Sequence, residues 1–183
     1  MLTVHTLENA FSDVECDRLL DEAGAAPASD ARLVGRERDH NIRRAELVWL
    51  DEAEGAGWVM ERLIDLVRAA NRAVFDFDVR EFAESAQLAT YSAETGGHFD
   101  WHADIGDGPA ARRRKLTLVV QLSEPASYAG GRLEVRPGLQ VVEASRARGA
   151  AVVFPSFMLH RVTPVTRGRR ASLTVWAHGP AFR

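Results

Sequence analysis

The spacing of apolar residues changes near the middle of the chain. In residues 57–74, apolar side chains recur at the period of a helix, at Val59, Leu63, Leu66, Val67 and Ala70. Residues 12–24 begin with the cap candidates Ser12 and Asp13, carry acidic residues early and end at Gly24, which also indicates a helix. We therefore predict two N-terminal helices.

After residue 75 the helical period stops, and short β-rich segments separated by Gly, Pro and Asp follow. They are FDFDV, AQLATYS, KLTLVVQLS, GRLEVR, LQVVEA, AAVVFP and ASLTVWA. Many short strands with turns between them are typical of a β-sandwich or a jelly roll. A further strand is predicted in the second half of RLVGRERDHNIRRAELVWL, whose first half is charged. The pattern predicts a mainly β core that the two helices support.

Composition limits the class of protein without naming it. The 183 residues fit one domain, and a formal charge of −3 argues against a protein that binds by neutralising many phosphates. The single cysteine, Cys16, cannot form an internal disulfide, so we expect a reducing compartment. The first residues resemble no signal peptide, and no apolar run approaches 18 residues. We expect a cytoplasmic domain without a membrane segment.

Residues 91–104, YSAETGGHFDWHAD, contain two overlapping His-x-Asp arrangements, His98 with Asp100 and His102 with Asp104. About one His-x-acid pair is expected by chance in this composition, so the pairs alone prove little. In a strand, however, residues two apart point to the same face, about 6.6 Å apart, and can share one ion. Either pair is therefore a candidate metal-binding pair.

A third ligand candidate is His160, which follows the apolar strand AAVVFP. Two histidines and one carboxylate leave one face of an octahedral metal open, as in the facial triad of non-haem Fe(II) oxygenases. Such a metal needs a co-substrate. In RRASLTVWA, alternation puts Arg170 and Ser172 on one face, where they suit a carboxylate of a small diacid. Thr117 and Gln121 share a face of KLTLVVQLS and either complete the same pocket or face water.

Several ordered motifs resemble the prolyl-4-hydroxylase-like branch of the Fe(II)/2-oxoglutarate-dependent oxygenases, especially the small bacterial PKHD-type hydroxylases. The resemblance covers roughly residues 55–178 and rests on NRAVFDFDV leading into QLATY, GGHFDWHAD, RKLTLVVQLSEPASYAGGRLEV and FPSFMLHRVTPVTRGRRASLTVW. It implies a double-stranded β-helix (jelly roll) core with buttressing helices. The expected organisation is one oxygenase domain, 1–183, with a helical support and lid segment, 1–74, and a jelly-roll core, 75–183.

The resemblance also selects one of the two pairs. In the family a Gly precedes an aromatic residue by three positions, and the ligand His follows that residue by three; Gly96, Phe99 and His102 fit this spacing. The implied iron ligands are His102, Asp104 and His160. Arg170, about ten positions after the distal His, is the implied 2-oxoglutarate residue. Ser172, Tyr91, Thr117 and Gln121 are further candidates for the co-substrate, and His98, Asp100, Arg114 and Trp176 for the substrate.

The implied reaction is the Fe(II)- and 2-oxoglutarate-dependent hydroxylation of an unactivated C–H by O₂, with L-ascorbate as a further cofactor candidate. The substrate stays open between a prolyl or other residue of a protein or peptide and a free amino acid or small metabolite. The charged segment 30–46 and the loop DIGDGPAARRRK are candidate rims of the site. Nucleic-acid demethylation is disfavoured, because Trp176 stands where alkylated-base demethylases carry a second Arg. A jelly roll that holds a metal or an acid without turnover is the non-enzymatic alternative.

Overall fold

The computed structural model describes residues 3–25, 29–30, 42–50 and 57–182. In these ranges the chain forms two α-helices, α1 (Asp13–Gly24) and α2 (Gly57–Ala70), and short 3₁₀ turns within 111–113 and 125–127. The strands are β1 (His5–Leu7), β2 (Ser29–Asp30), β3 (Arg43–Arg44), β4 (Glu46–Trp49), β5 (Gln87–Ser92), β6 (His98–His102), β7 (Arg114–Gln121), β8 (Ala129–Gly130), β9 (Leu133–Arg136), β10 (Val142–Glu143), β11 (Ala151–Pro155), β12 (Leu159–Val162), β13 (Val165–Arg167) and β14 (Arg169–His178).

Both predicted helices are confirmed. Helix α1 starts with a capping box: the Ser12 hydroxyl accepts from the Glu15 backbone N–H, and the Glu15 carboxylate accepts from that of Ser12. Helix α2 buries its apolar face through Val59, Leu63 and Val67.

The predicted strand FDFDV is wrong. Helix α2 continues into a π-helical turn, Asn71–Phe75, and Asp76 follows with a left-handed backbone, φ +51°. The Asn71 side chain then bonds both the N–H and the carbonyl of Phe77, each at 2.9 Å. These bonds replace the partners that a neighbouring strand would supply, so the alternating aromatic residues pack without joining a sheet.

Two antiparallel sheets form the core, which confirms the jelly-roll class. The seven-stranded sheet has the order β1-β11-β7-β14-β5-β4-β2, and the five-stranded sheet β10-β9-β12-β6-β3. Strands β13 and β8 pair separately. The N-terminal part supplies strands as well as helices, because β1 and β4 extend the larger sheet and β3 extends the smaller one. Most of the charged segment 30–46, a candidate rim of the site, lies outside the described residues.

Alternation along the central strands separates two interiors. Leu116, Leu118 and Val120 of β7 pack with Leu173 and Val175 of β14 in the cluster that the helices cover. Residues of opposite parity on β7 and β14 face the space between the sheets, where Val119 joins the second apolar cluster. Thr117, Gln121, Arg170 and Ser172 share that inward parity. No helix in the described ranges is long and apolar enough to cross a membrane.

Candidate metal centre and diacid pocket

His102, Asp104 and His160 meet at one end of the space between the sheets. One ligand atom from each lies within 4.8 Å of the others. His160 on β12 pairs directly with His102 at the end of β6. Asp104 follows the strand, and its backbone N–H donates to the Ser156 carbonyl at 2.9 Å. Backbone pairing therefore places all three side chains.

Both imidazoles have one ring nitrogen held by a backbone carbonyl. Nδ1 of His102 lies 2.7 Å from the Asp100 carbonyl oxygen, and Nδ1 of His160 lies 3.0 Å from that of Met158. Because a carbonyl oxygen only accepts, each Nδ1 must carry the proton and donate. In the neutral rings, each Nε2 then offers a lone pair. Backbone carbonyls commonly fix metal-binding histidines in this way.

The Asp104 carboxylate lies between the two Nε2 atoms. Its Oδ1 is 3.6 Å from Nε2 of His102, and its Oδ2 is 3.5 Å from Nε2 of His160. Burial lowers the pKa of His160 to about 4, which keeps this ring neutral at pH 7. Burial alone would raise the pKa of Asp104, but the neighbouring His160 and His102 side chains outweigh it, and the pKa is lowered.

This donor set fits a divalent transition metal. Two lone-pair nitrogens and a carboxylate face one another at separations longer than ordinary hydrogen bonds, so a cation among them would satisfy all three. Two His and one carboxylate are the ligands of the non-haem Fe(II) facial triad. His98 and Asp100 are not part of this cluster: Nδ1 of His98 lies 2.8 Å from the Gly96 carbonyl, and Asp100 is exposed.

Two side chains hold the Asp104 carboxylate from the larger sheet. The Thr117 hydroxyl donates to Asp104 Oδ2 at 2.7 Å, and the Trp176 indole N–H donates to the same oxygen at 3.0 Å. Thr117 and Trp176 are direct neighbours across β7 and β14. The Ser156 hydroxyl lies 3.0 Å from that of Thr117. Thr117 is thus buried at the metal cluster and does not face water, and Trp176 contacts a candidate ligand.

Arg170 lies further along the same inner face and is only 2% exposed. Its Nε donates to Gln121 Oε1 at 3.1 Å, and its Nη1 donates to the Ser172 hydroxyl at 3.2 Å. The ring of Tyr91, its cross-strand neighbour, lies 5.7 Å from the guanidinium carbon. Burial lowers the pKa of Arg170. Arg169, by contrast, is exposed and pairs with Glu46 at the surface.

A small pocket opens beside Arg170, lined in part by Gln121 and Tyr128. The Tyr128 hydroxyl accepts from Gln121 Nε2 at 3.0 Å. Gly131 has φ +58°, and a Cβ there would lie 3.0 Å from Cδ of Arg170, so glycine leaves room for the arginine stem. The polar atoms of this pocket suit a carboxylate.

The structure corrects the expectation that Arg114 contacts substrate from a loop. Arg114 is 4% exposed and donates through two nitrogens to the Glu84 carboxylate, at 2.7 and 2.5 Å. A third nitrogen donates to the Asp104 carbonyl at 3.0 Å, and the guanidinium lies 4.0 Å from the Trp176 ring. His178 Nε2 lies 2.8 Å from the same Glu84 carboxylate. Arg114 therefore supports the metal cluster from behind.

Sequence reasoning missed Glu84, His178, Ser156 and Tyr128. Strand parity offered a signal for His178, which continues the alternation of Arg170 and Ser172. Ser156 lies four residues before His160 but has no distinguishing pattern. Glu84 reaches the site only through long-range contacts, which single-sequence reasoning does not supply, and Tyr128, seven residues after Gln121, has no distinguishing pattern.

The fold and the site together define a jelly-roll protein with a His-Asp-His cluster at one end and a buried arginine further inside. Residues 86–178 match the 2OG-Fe(II) oxygenase superfamily, and the chain belongs to this family. A PKHD-type hydroxylase of Hyphomonas neptunium is 31% identical over 150 residues, which cover 80% of this chain and 65% of that protein.

Solved structures show the same fold. A Pseudomonas putida prolyl-4-hydroxylase superposes with a TM-score of 0.76 at 22% identity, over 99% of this chain and 95% of that one. A prolyl hydroxylase from Trichoplax adhaerens, in complex with a hypoxia inducible factor peptide fragment, superposes with a TM-score of 0.77 at 17% identity. The superposition covers 96% of this chain and 83% of that one. Other PKHD-type hydroxylases match over shorter segments. The match with the PKHD-type hydroxylase of Teredinibacter turnerae, for example, covers 38% of that protein.

Proposed function

We propose that this chain is an Fe(II)- and 2-oxoglutarate-dependent dioxygenase that hydroxylates an unactivated C–H of a prolyl or other residue in a protein or peptide. One observation carries the proposal. The ligand atoms of His102, Asp104 and His160 converge within 4.8 Å, and buried Arg170 faces the same space between the sheets. Membership of the 2OG-Fe(II) oxygenase superfamily supports it.

His102, Asp104 and His160 would hold Fe(II). Bound there, the metal supplies the activation of O₂ that converts 2-oxoglutarate and a C–H substrate into succinate, CO₂ and the hydroxylated product. The two backbone carbonyls fix the orientation of the imidazoles, so both Nε2 lone pairs would be available to bind the ion. Thr117 and Trp176 keep the carboxylate in place by donating to one of its oxygens.

Arg170, Ser172 and Gln121 would bind the distal carboxylate of 2-oxoglutarate. A guanidinium that is only 2% exposed forms stronger charge-assisted bonds than one in water, because little solvent competes. Tyr91 packs beside the guanidinium and excludes water from it. This arrangement would orient the oxo-acid end of the co-substrate toward the metal cluster.

Two similar proteins support a peptide substrate. The curated relative is a PKHD-type hydroxylase, and one structural neighbour is a prolyl hydroxylase in complex with a peptide. We therefore propose a prolyl side chain of a peptide as the hydroxylated group. Free proline and other free amino acids are the competing substrates within the same chemistry.

Succinate formation tests the proposal. We expect purified protein with Fe(II) and O₂ to convert 2-oxoglutarate to succinate, faster with a proline-containing peptide than with free proline, and with a mass gain of one oxygen in the peptide. Asp104→Ala should form no succinate. Stimulation by free proline alone would reassign the substrate to a free amino acid. Absence of succinate under all conditions would leave a non-catalytic binding module.

A further inference from the structure

The diacid pocket contains a second guanidinium, which belongs to Arg146. This residue lies in the segment between β10 and β11, and its side chain lines the same pocket as Arg170. Its guanidinium carbon lies 4.8 Å from the ring centre of Tyr128. The hydroxyl of Tyr128 accepts from Gln121, whose amide oxygen accepts from Arg170. The Tyr128 ring and the Gln121 amide therefore link the guanidinium groups of Arg146 and Arg170.

Arg146 has an unused hydrogen-bond donor. Its Nε is buried and has no hydrogen-bond partner among the described residues. Other arginines nearby are paired: Arg148 contacts Asp17 and Glu124, and Arg161 contacts Glu134. A buried N–H without an acceptor costs free energy unless a ligand supplies one.

The pocket contains no carboxylate that could neutralise the two arginines. Its other lining residues within the described ranges are apolar or uncharged: Val119, Gln121, Tyr128, Gly131, Leu133, Ala144, Ser145, Ala150 and Val152. Burial is the main cause of the lowered pKa of Arg170, and the positive charge of Arg146 lowers that pKa further. Two like charges that share a largely buried space repel, and an anion between them would relieve that repulsion.

We propose that Arg146 is a second binding residue for the distal carboxylate of the co-substrate, so that Arg146 and Arg170 together select a 2-oxo diacid over a 2-oxo monoacid. This inference rests on the proposed function, because it assigns the pocket to 2-oxoglutarate. It adds a residue from outside the β14 motif and gives the pocket a charge of +2.

Equilibrium binding to Mn(II)-loaded protein without O₂ separates the roles. The two probes are 2-oxoglutarate and 2-oxopentanoate, which replaces the distal carboxylate with a methyl group. Arg146→Gln should weaken 2-oxoglutarate binding about 10- to 150-fold, the range for a lost hydrogen bond to a charged group. Binding of 2-oxopentanoate should stay unchanged, and Arg146→Lys should restore most of the affinity for the diacid.

Arg167→Gln is the matched control, because Arg167 is exposed and its Nη2 donates to the backbone carbonyl of Ala126. It should leave the affinity for both acids unchanged. Equal weakening of both acids by Arg146→Gln would reduce Arg146 to packing against Tyr128 and overturn the inference, as would no change in either. Wild-type protein that binds neither acid would overturn the proposed function itself.

Discussion

The indole N–H of Trp176 donates to Oδ2 of Asp104 at 3.0 Å. Trp176 stands on the same strand, and on the same face, as Arg170. A single strand, β14, therefore supports the carboxylate of the candidate metal centre and carries the cation of the diacid pocket. Changes along this strand separate the two functions experimentally.

Trp176→Phe should weaken metal binding about 10- to 100-fold, the usual effect of losing a side chain that orients a metal ligand. The phenyl ring keeps the packing but cannot donate to Asp104. Metal titration by calorimetry is the measurement. Trp58→Phe, on α2 beside Phe11, is the control and should leave the affinity unchanged. Equal affinities for wild type and Trp176→Phe would show that Thr117 alone fixes the carboxylate.

His102→Ala, Asp104→Ala and His160→Ala should each abolish stoichiometric metal binding, whereas His98→Ala should retain it. The three residues of the cluster converge on one point, and His98 does not belong to it. Metal titration by calorimetry measures the affinity of each variant. Loss of the metal in His98→Ala would shift the ligand pair upstream to His98 and Asp100.

Arg170→Ala should weaken 2-oxoglutarate binding strongly, and Arg169→Ala should have little effect. Loss of one partner of a buried, hydrogen-bonded charge pair costs about 2–5 kcal/mol, or roughly 30- to several-thousand-fold in affinity. Arg169 forms a surface contact with Glu46, and such pairs contribute little. Similar dissociation constants for the two variants would contradict the assignment of the inward face.

The contribution of Glu84 to stability should depend on pH. Burial acts to raise its pKa, but hydrogen bonds from His178 and Arg114 outweigh burial and lower the pKa from 4.5 to about 2. As the pH falls, the Glu84 carboxylate therefore binds a proton in the unfolded state before it does so in the folded state. The stabilisation, about 3 kcal/mol, is present in full above pH 4.5 and is lost as the pH falls toward 2.

Glu84→Gln tests this pH dependence by urea unfolding between pH 7 and pH 3.5. The difference in unfolding free energy from wild type should be largest at pH 7 and shrink below pH 4.5. Glu61→Gln, at an exposed position of α2, serves as the control and should differ little from wild type at any pH. A difference for Glu84→Gln that stays constant with pH would contradict the lowered pKa.

Arg114 and Arg112, two residues apart, should differ sharply in their effect on stability. Arg114→Ser should lower the unfolding free energy by about 3 kcal/mol, because it leaves the Glu84 carboxylate partly buried with one charged partner fewer. Arg112→Ser, at an exposed position, should change it by less than about 0.5 kcal/mol. Thermal and urea unfolding measure both. Equal unfolding free energies for Arg114→Ser and Arg112→Ser would contradict the supporting role of Arg114 and favour its assignment to the rim of the substrate site.

Alternation along a strand made the inner face predictable from sequence. A period of two placed Arg170 and Ser172 opposite Ala171 and Leu173, and the structure buries the two sets in different interiors. The same rule put Thr117 and Gln121 on one face, but it could not say that Thr117 binds Asp104 while Gln121 binds Arg170. That division depends on cross-strand register, which local pattern does not determine.

Long-range contacts account for what the sequence could not predict. Glu84 bonds His178 across 94 positions of chain, and neither residue stands in a motif. The segment FDFDV has the alternation of a strand, yet the hydrogen bonds of one Asn71 side chain turn it into a connection. Local polar contacts of this kind override a hydrophobic period because they satisfy the backbone without a partner strand.

The register of β14 fixes how the anion end of the site lies relative to the metal end. Trp176 lies six positions after Arg170, about 20 Å along the extended chain, and β5 and β7 pair with this strand from both sides. The distance between the anion end and the metal end is therefore a property of the backbone. Side-chain substitutions alter how tightly a diacid is held, whereas the relative placement of the two ends depends on the sheet. Deleting one residue between 171 and 175 would turn Arg170 toward the helices. It would abolish both the affinity for a diacid and the placement of its two ends.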